Sequence, residues 1–503
     1  MRLGRIPDTL IGRPHELPAL RCTYQMLMWS GDAKGSVVAG LGAQAVVLGA
    51  SVGGLLAARV LADFYRRVTV LERDDLPAEP VNRRGVPQGK HCHLLNARGS
   101  EILEHLFPGL LAELLAAGVG VWNDGELGRV HISLAGHELT RSGTWPSTKG
   151  LSLYFPSRVL LEWCIRRRLQ KMSQVAIVEG RDVTGLTATA DAVRVTGVRV
   201  TDRHNGHDAT VAADLVVDAT GRASRSPAFM LQLGYAPPRE DELTVQLSYA
   251  SQLLRMRPNA VSENLIVIFP KPGRLRTWAL VGHENDTAMF CLGSMMGERL
   301  PRDRDGMLTF GADFAPAHAL QAVRVAQPLG KINHHHVPSN RWRRYDKLRR
   351  NPAGLLVFGD AISSFNPIYG QGITIAALEA IVLRDCLLHF KRDLQRSFYQ
   401  RSAKHIQVAW HMAVGSDLAL PEVPGPRPMS IRLTSAYLDR VLAAAESDSH
   451  VSYRFMRVVG MLDRPASLLQ PSCLFRVSRA HLRGRRADRG ATAVGVAHSE
   501  GTL

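Results

Sequence analysis

Ala45-Val46-Val47-Leu48-Gly49-Ala50-Ser51-Val52-Gly53-Gly54 is the stretch whose reading decides the fold. Four consecutive apolar residues suit a short parallel strand buried on both faces, and Gly49 then permits a tight turn. Leu55 to Arg67 predicts a helix, because Arg59, Asp63 and Arg66 share one narrow wedge of the wheel and the other positions are mostly apolar. Val68-Thr69-Val70-Leu71 predicts a second buried strand that ends at Glu72. A glycine-rich turn alone is a weak signal; strand, turn, helix, strand and acid together describe a Rossmann-type βαβ unit. In such a unit Gly54 lets the helix lie close to the sheet, and the helix N-terminus offers free N–H groups and positive dipole charge to a pyrophosphate. Glu72, 18 residues beyond Gly54, is placed to accept hydrogen bonds from a ribose. Ser51 stands where the middle glycine is usual, so the pattern is a variant. Gly53 in the turn and Arg73 beside Glu72 complete this candidate set.

Two more segments repeat the theme of a strand running into a turn. Asp214 to Asp218 reads as a buried strand leading into Ala219-Thr220-Gly221-Arg222-Ala223-Ser224, although an isolated strand end would look the same. Gly354 to Phe358 reads as a strand that delivers Asp360. Asn366-Pro367-Ile368-Tyr369-Gly370-Gln371-Gly372 then leads into a helix over Ile373 to Leu388. Asp360 could serve ribityl hydroxyls, and amides around Gly370 to Gly372 could stabilise negative charge, by the helix-terminus argument. The plainer alternative is an ordinary helix cap.

Taken in order, the three motifs resemble the FAD-dependent monooxygenase superfamily with the para-hydroxybenzoate-hydroxylase-like fold. GASVGG with Glu72 is similar to its FAD-ADP motif, DATGRAS to its middle motif and GDAISSFNPIYGQG to its riboflavin motif. Together with RRGVPQGKHCHLL (Arg83 to Leu95), they look most like a bacterial subgroup that includes polyether-pathway polyene epoxidases. The resemblance spans about Ala45 to Leu388. It implies FAD contacts from Gly49, Ser51, Gly54, Glu72, Asp360, Pro367, Gly370, Gln371 and Gly372, with cofactor-side arginines at Arg158 and Arg98. Asp218 and Gly221 join them from the middle motif. Thr220 stands where many relatives carry an aspartate that serves both FAD and NAD(P)H, and there is no second glycine-rich βαβ unit. The electron donor is therefore left open between transiently docked NAD(P)H and a partner flavin reductase.

The implied architecture is mixed α/β: a Rossmann-type FAD-binding domain (43–125, 150–225 and 340–390) interleaved with a β-sheet substrate-binding domain (126–149 and 226–339). A helical region follows over 391–475. Within it Ile406 to Leu418 and Ala436 to Ala445 have helical spacing, broken by Pro421, Pro424, Pro426 and Pro428. It could cap a substrate channel or mediate dimer contacts. Residues 1–42 read as a poorly ordered extension and 476–503 as a disordered basic tail.

Charge and composition narrow the function. The net charge of +17 is concentrated in the block Arg341 to Arg350 and in Arg476 to Arg489. The bland reading is a solvated face plus a tail; no nucleic-acid module accompanies it, while contact with a membrane surface stays open. The uncharged run Gly35 to Ala58 is long enough to cross a bilayer, but its six glycines and its continuation into a strand read as loop, strand, turn and helix instead. Six scattered cysteines without a CxxC pair, and no signal-peptide pattern, fit a cytoplasmic protein. His91, His93 and His334 to His336 lack a matching carboxylate or cysteine set, so no metal is expected; His91 and His93 are instead expected beside the flavin.

By resemblance the chain is a monooxygenase, a hydroxylase or epoxidase using a flavin C4a-hydroperoxide to insert one oxygen from O2 into an aromatic or alkene-containing substrate. Catalytic side chains are not named, since the cofactor does the hard step. The alternatives are an FAD-dependent reductase of a lipid-like double bond and a non-catalytic flavin-binding protein. A flavin halogenase is disfavoured because no two of the seven tryptophans stand two apart. Monomer and homodimer both remain open.

Overall fold

The structure is a computed structural model that describes residues 41–483. The expectations for 1–40 and 484–503 lie outside the described residues. Leu41 and Gly42, counted with the N-terminal extension, belong to the fold, because Gly42 opens the first strand.

That strand, β1 (Gly42–Leu48), centres a parallel sheet with β2 (Tyr65–Leu71), β3 (Val175–Val178), β4 (Leu215–Asp218) and β5 (Leu355–Val357), in the order β5-β4-β1-β2-β3. Val46 pairs with Thr69 on one side and Val216 on the other, so the three motif strands end at the same level. Val46, Val47, Val216, Val217, Leu356 and Val357 are wholly buried. Each such side chain contributes about 1.5–3 kcal/mol on burial, which is why these runs read as continuous apolar segments in sequence.

Helices cover the sheet: α1 (Val52–Leu61), α2 (Arg158–Gln170) and α3 (Gly372–His389). The first corrects the sequence expectation, for α1 stops at Leu61 and not Arg67. Asp63 and Phe64 donate to carbonyls three residues back, at Val60 and Leu61, which tightens and ends the helix. Arg66 and Arg67 then belong to β2, where Arg67 pairs with Gln44. Arg59 and Asp63 of the predicted polar wedge do meet, at 2.7 Å.

A second, nine-stranded sheet is built mostly from residues 130–138 and 240–343. Its long strand Glu240–Arg255 pairs antiparallel with Thr287–Ser294 and with Asn333–Arg343. Ser363–Ser364, within the third motif, adds a short strand to its edge and ties the two sheets together. A small antiparallel sheet over 181–212, absent from the sequence expectation, lies beside them.

Beyond α3 the chain is helical as expected, in α4 (Leu394–Leu418), α5 (Met429–Ala445) and α6 (Ser449–Val459). Two readings of charge are corrected, the first in part, since Lys347, Arg349 and Arg350 of the basic block are exposed. Arg343 of the basic block is buried and bonds Glu240 at 2.8 Å, and Arg344 bonds Asp241 and Asp346, each at 2.8 Å; these arginines lock neighbouring strands and are not a solvated face. Residues 476–483, expected in a disordered tail, continue a helix from 471, because Cys473 and Val477 are buried in the core under α5 and α6. Among the described residues no helix is long and apolar enough to cross a membrane.

Candidate active site

The three turns meet at the carboxyl ends of β1, β4 and β5. Gly49, at φ +95°, crosses above the β4 turn, where a Cβ would lie 3.0 Å from the Ala219 carbonyl. Gly54 is tighter still: a Cβ there would sit 1.8 Å from the Gly49 carbonyl oxygen. Only glycine lets α1 start this close to the turn. Gly53 faces Phe358, ahead of the third motif, and Gly221 (φ +75°) faces Asp360.

Ser51 occupies the N-cap of α1 but its side chain makes no capping bond. Its hydroxyl instead donates to Glu162 at 3.1 Å and accepts from Arg158 Nη2 at 2.7 Å. The first N–H groups of α1 thus keep their capacity for an anion. Arg158 opens α2, as expected, over the N-cap Ser157. It is buried, pairs with Glu162 at 3.3 Å, and leaves its Nε without a partner. Glu72 accepts from the Ala50 amide at 2.7 Å and meets Arg83 at 3.2 Å; Arg83 also reaches Glu162 at 2.9 Å. Beside these ions lies a shallow cleft whose lining includes Arg166, Trp163 and Val81.

Asp360 is exposed at the end of β5, facing the charges of Arg158 and Arg222. Desolvation by the surrounding walls pushes its carboxyl up, and those two arginines oppose the shift. A Cβ on Gly372, the first residue of α3, would lie 3.8 Å from the Asp360 carboxylate. Gly370 takes a left-handed φ of +64°, and its carbonyl accepts from Asn96 at 3.0 Å. Pro367 is exposed, whereas Gln371 is buried with Nε2 on the Met412 sulfur at 3.7 Å and Oε1 unpartnered.

Behind this loop lies Asp417, delivered by α4 and fully buried. It accepts from Asn340 at 2.6 Å, Asn366 at 3.1 Å and Tyr369 at 2.7 Å. Burial pushes its carboxyl up to about 6, against the pull of those three donors. Below the loop, Glu379 is buried in α3, accepts from the Gly359 amide at 2.6 Å and leaves its other oxygen unpartnered. Burial first, and the nearby Asp360 charge after the opposing Gly359 bond, raise its carboxyl to about 8. The proton it keeps in the fold adds stability that is fully present below the unfolded value near 4.5 and is lost as pH rises through 8. Glu379→Gln keeps the Gly359 bond without the titration. Thermal unfolding should show the variant gaining on the parent between about pH 5 and 8, on a scale of about 1.4 kcal/mol per unit, and levelling off above that; parallel pH profiles would contradict the assignment.

His91 and the second sheet share a buried polar cluster. His91 Nδ1 pairs with Ser251 Oγ at 2.8 Å, and its ring stands edge-on to Tyr249 with centroids 4.3 Å apart. Burial lowers both His91 and His93 to about 3, helped at His93 by Arg158, so both rings are neutral near pH 7. Phe269 stacks on Tyr369, and Leu94, Phe269 and Met412 line an apolar stretch.

Not every predicted residue reaches this crevice. Asp218 is taken up by its own turn, accepting from the Thr220 amide at 2.9 Å and from the Thr220, Ser224 and Ser226 hydroxyls. Arg98 points to Glu101 at 3.0 Å on the surface, and Arg73 is exposed outside the ion cluster. Conversely Arg83, Glu162, Asn96 and Asp417 were not singled out. The run beginning at Arg83 was the available signal for the first of them.

Comparison with known proteins decides the family. A model of the FAD binding domain matches residues 42–396. The chain belongs to that family. It is 38% identical over 428 residues to Protein Rv3254 of Mycobacterium tuberculosis, covering 83% of this chain and 90% of that one. It is 28% identical to kynurenine 3-monooxygenase of Salinispora arenicola, over 91% and 96% of the two chains. Among solved structures, p-nitrophenol 4-monooxygenase PnpA of Pseudomonas putida DLL-E4 matches with a TM-score of 0.60 at 15% identity, over 83% of this chain and 98% of that one. The chain is an FAD-dependent oxidoreductase of the monooxygenase superfamily. The crevice suits that cofactor: an uncapped helix terminus, a buried guanidinium with a free Nε, a cradle that a Cβ would fill, and an exposed aspartate opposite a second helix terminus.

Proposed function

We propose that the protein is a monooxygenase that inserts one atom of O2 into an aromatic or alkene-containing organic substrate, the other atom leaving as water. The observation that carries this reading is the link between two helix N-termini: Arg158 bonds Ser51 at the start of α1 and faces Asp360, which lies beside Gly372 at the start of α3. FAD, when bound, supplies the redox and oxygen chemistry. Gly49, Ser51, Gly53, Gly54 and Glu72 hold its ADP half, with Arg158 countering the pyrophosphate. Asp360 holds the ribityl chain, and Pro367, Gly370, Gln371 and Gly372 border the ring. The α3 terminus then favours negative charge on the reduced ring. Tyr249, Ser251 and the neutral His91, all buried, back the site and exclude water.

In this reading residues 126–149 and 226–339 form the substrate-binding domain, supported by the strands they give to the second sheet. Free thiols at all five described cysteines support a cytoplasmic setting. Electrons come from NAD(P)H or a partner flavin reductase; Thr220, bonded to Asp218, leaves both routes open. A reductase acting on a lipid-like double bond is the second reading, favoured by the Leu94, Phe269 and Met412 wall.

Oxygen uptake separates them. With a flavin reductase, NADH and a panel of aromatic and polyene substrates, turnover of an accepted substrate should consume O2 and place one labelled oxygen from 18O2 in the product. Substrate reduced equally well without O2 would establish the second reading instead.

A further inference from the structure

Half of the twelve large apolar side chains exposed among the described residues fall between Met429 and Leu482. Three of them share one helix, residues 471–483. Cys473 and Val477 anchor its inner face in the core. At 100° per residue, the opposite face carries Phe475, Ser478 and Leu482, with Leu474 on its flank. Phe475 is 68% exposed and Leu482 61% exposed, values that no fold contact explains. Arg479 and Arg483 are exposed along one flank of this crest, while Arg476 is held by Asp448 at 2.9 Å. The sequence then adds Arg485, Arg486 and Arg489 against one acid, Asp488.

A crest of Phe and Leu flanked by arginines is the composition of a helix that lies in a bilayer interface. Two other occupants fit less well. An antiparallel two-fold contact with a second copy would bring the arginine flanks of the two helices together. A nucleic acid would meet the arginines but leave the crest in water.

We propose that helix 471–483 docks this enzyme on an anionic lipid surface, with Leu474, Phe475 and Leu482 entering the interface and the arginines meeting headgroup phosphates. None of these residues belongs to the flavin crevice, so failure of this proposal leaves the monooxygenase reading untouched. The test is sedimentation of full-length holoprotein with vesicles of phosphatidylcholine alone or mixed with phosphatidylglycerol. Binding is expected to the mixed vesicles and to weaken at high salt. The double variant F475S/L482S should bind roughly tenfold more weakly while keeping its flavin content and solution mass, and R479Q/R483Q should lose binding to a similar degree. Protein that stays in solution with mixed vesicles overturns the proposal. So does a double variant that binds as well as the parent, since the charges alone would then suffice. A double variant whose only change is a smaller solution mass would assign the crest to a second copy, and one impaired only in binding duplex DNA would assign it to nucleic acid; either result also overturns it.

Discussion

Gly54→Val is expected to give protein with little or no flavin. A Cβ at this position would lie 1.8 Å from the Gly49 carbonyl oxygen and 3.0 Å from the Gly49 carbonyl carbon. Both obstacles are backbone, so no side chain can rotate away, and relief requires α1 to lift off the turn. Ordinary overpacking costs about 1–3 kcal/mol; a backbone collision exceeds that. Lifting α1 also withdraws the N–H groups that meet the pyrophosphate. Flavin absorbance per chain should fall to roughly a tenth of the parent or lower, with a lowered unfolding temperature. Gly53→Ala is the matched control. Its Cβ would find nothing nearer than Phe358 at 3.8 Å, so flavin content and stability should stay close to the parent. Similar losses in both variants would contradict the placement of the turn.

Arg158→Met has the second large effect. The substitution keeps much of the side-chain volume and removes a buried cation held by Ser51 and Glu162. Glu162 retains Arg83 at 2.9 Å, so the fold should survive. Breaking a buried pair nevertheless costs about 3–5 kcal/mol when the remaining charge is left alone, and the residual Arg83 contact should hold the loss below that range. FAD loses a charge-assisted bond worth about 1.5–3 kcal/mol, which corresponds to roughly 10–100-fold weaker binding. Titration of apoprotein with FAD measures it. Arg158→Lys should recover part of the affinity, because a single ammonium replaces the charge without the fork. Unchanged affinity in both variants would remove Arg158 from the cofactor site.

How far the sequence could be read follows from which interactions are local. Val46-Val47, Val216-Val217 and Leu356-Val357 were legible because strands buried on both faces appear as unbroken apolar runs. The end of α1 was not. Asp63 to Arg67 carries a polar spacing that a helix and an edge-exposed strand start share, and the pairing of Arg67 with Gln44 decided it. The basic block was misread for a related reason, since Arg343 and Arg344 find Glu240 and Asp241 about a hundred residues away. Separations of 79 and 51 residues hide the Arg83–Glu162 pair and the reach of Asp417 into the loop at Asn366. Asp218 looked like a ligand by its place in the motif, yet the Thr220, Ser224 and Ser226 hydroxyls next to it in sequence satisfy it. The second sheet was least readable. Its long strand alternates from Leu243 to Tyr249 and then turns continuously buried, and Thr287–Ser294 is buried at most positions, so no single period marks its strands.

The cofactor that purified protein carries tests this reading of the crevice most directly. Heat or acid denaturation should release one FAD per chain, and apoprotein should take FAD up again in preference to FMN or NAD. Protein that is isolated colourless and refuses added FAD would contradict it.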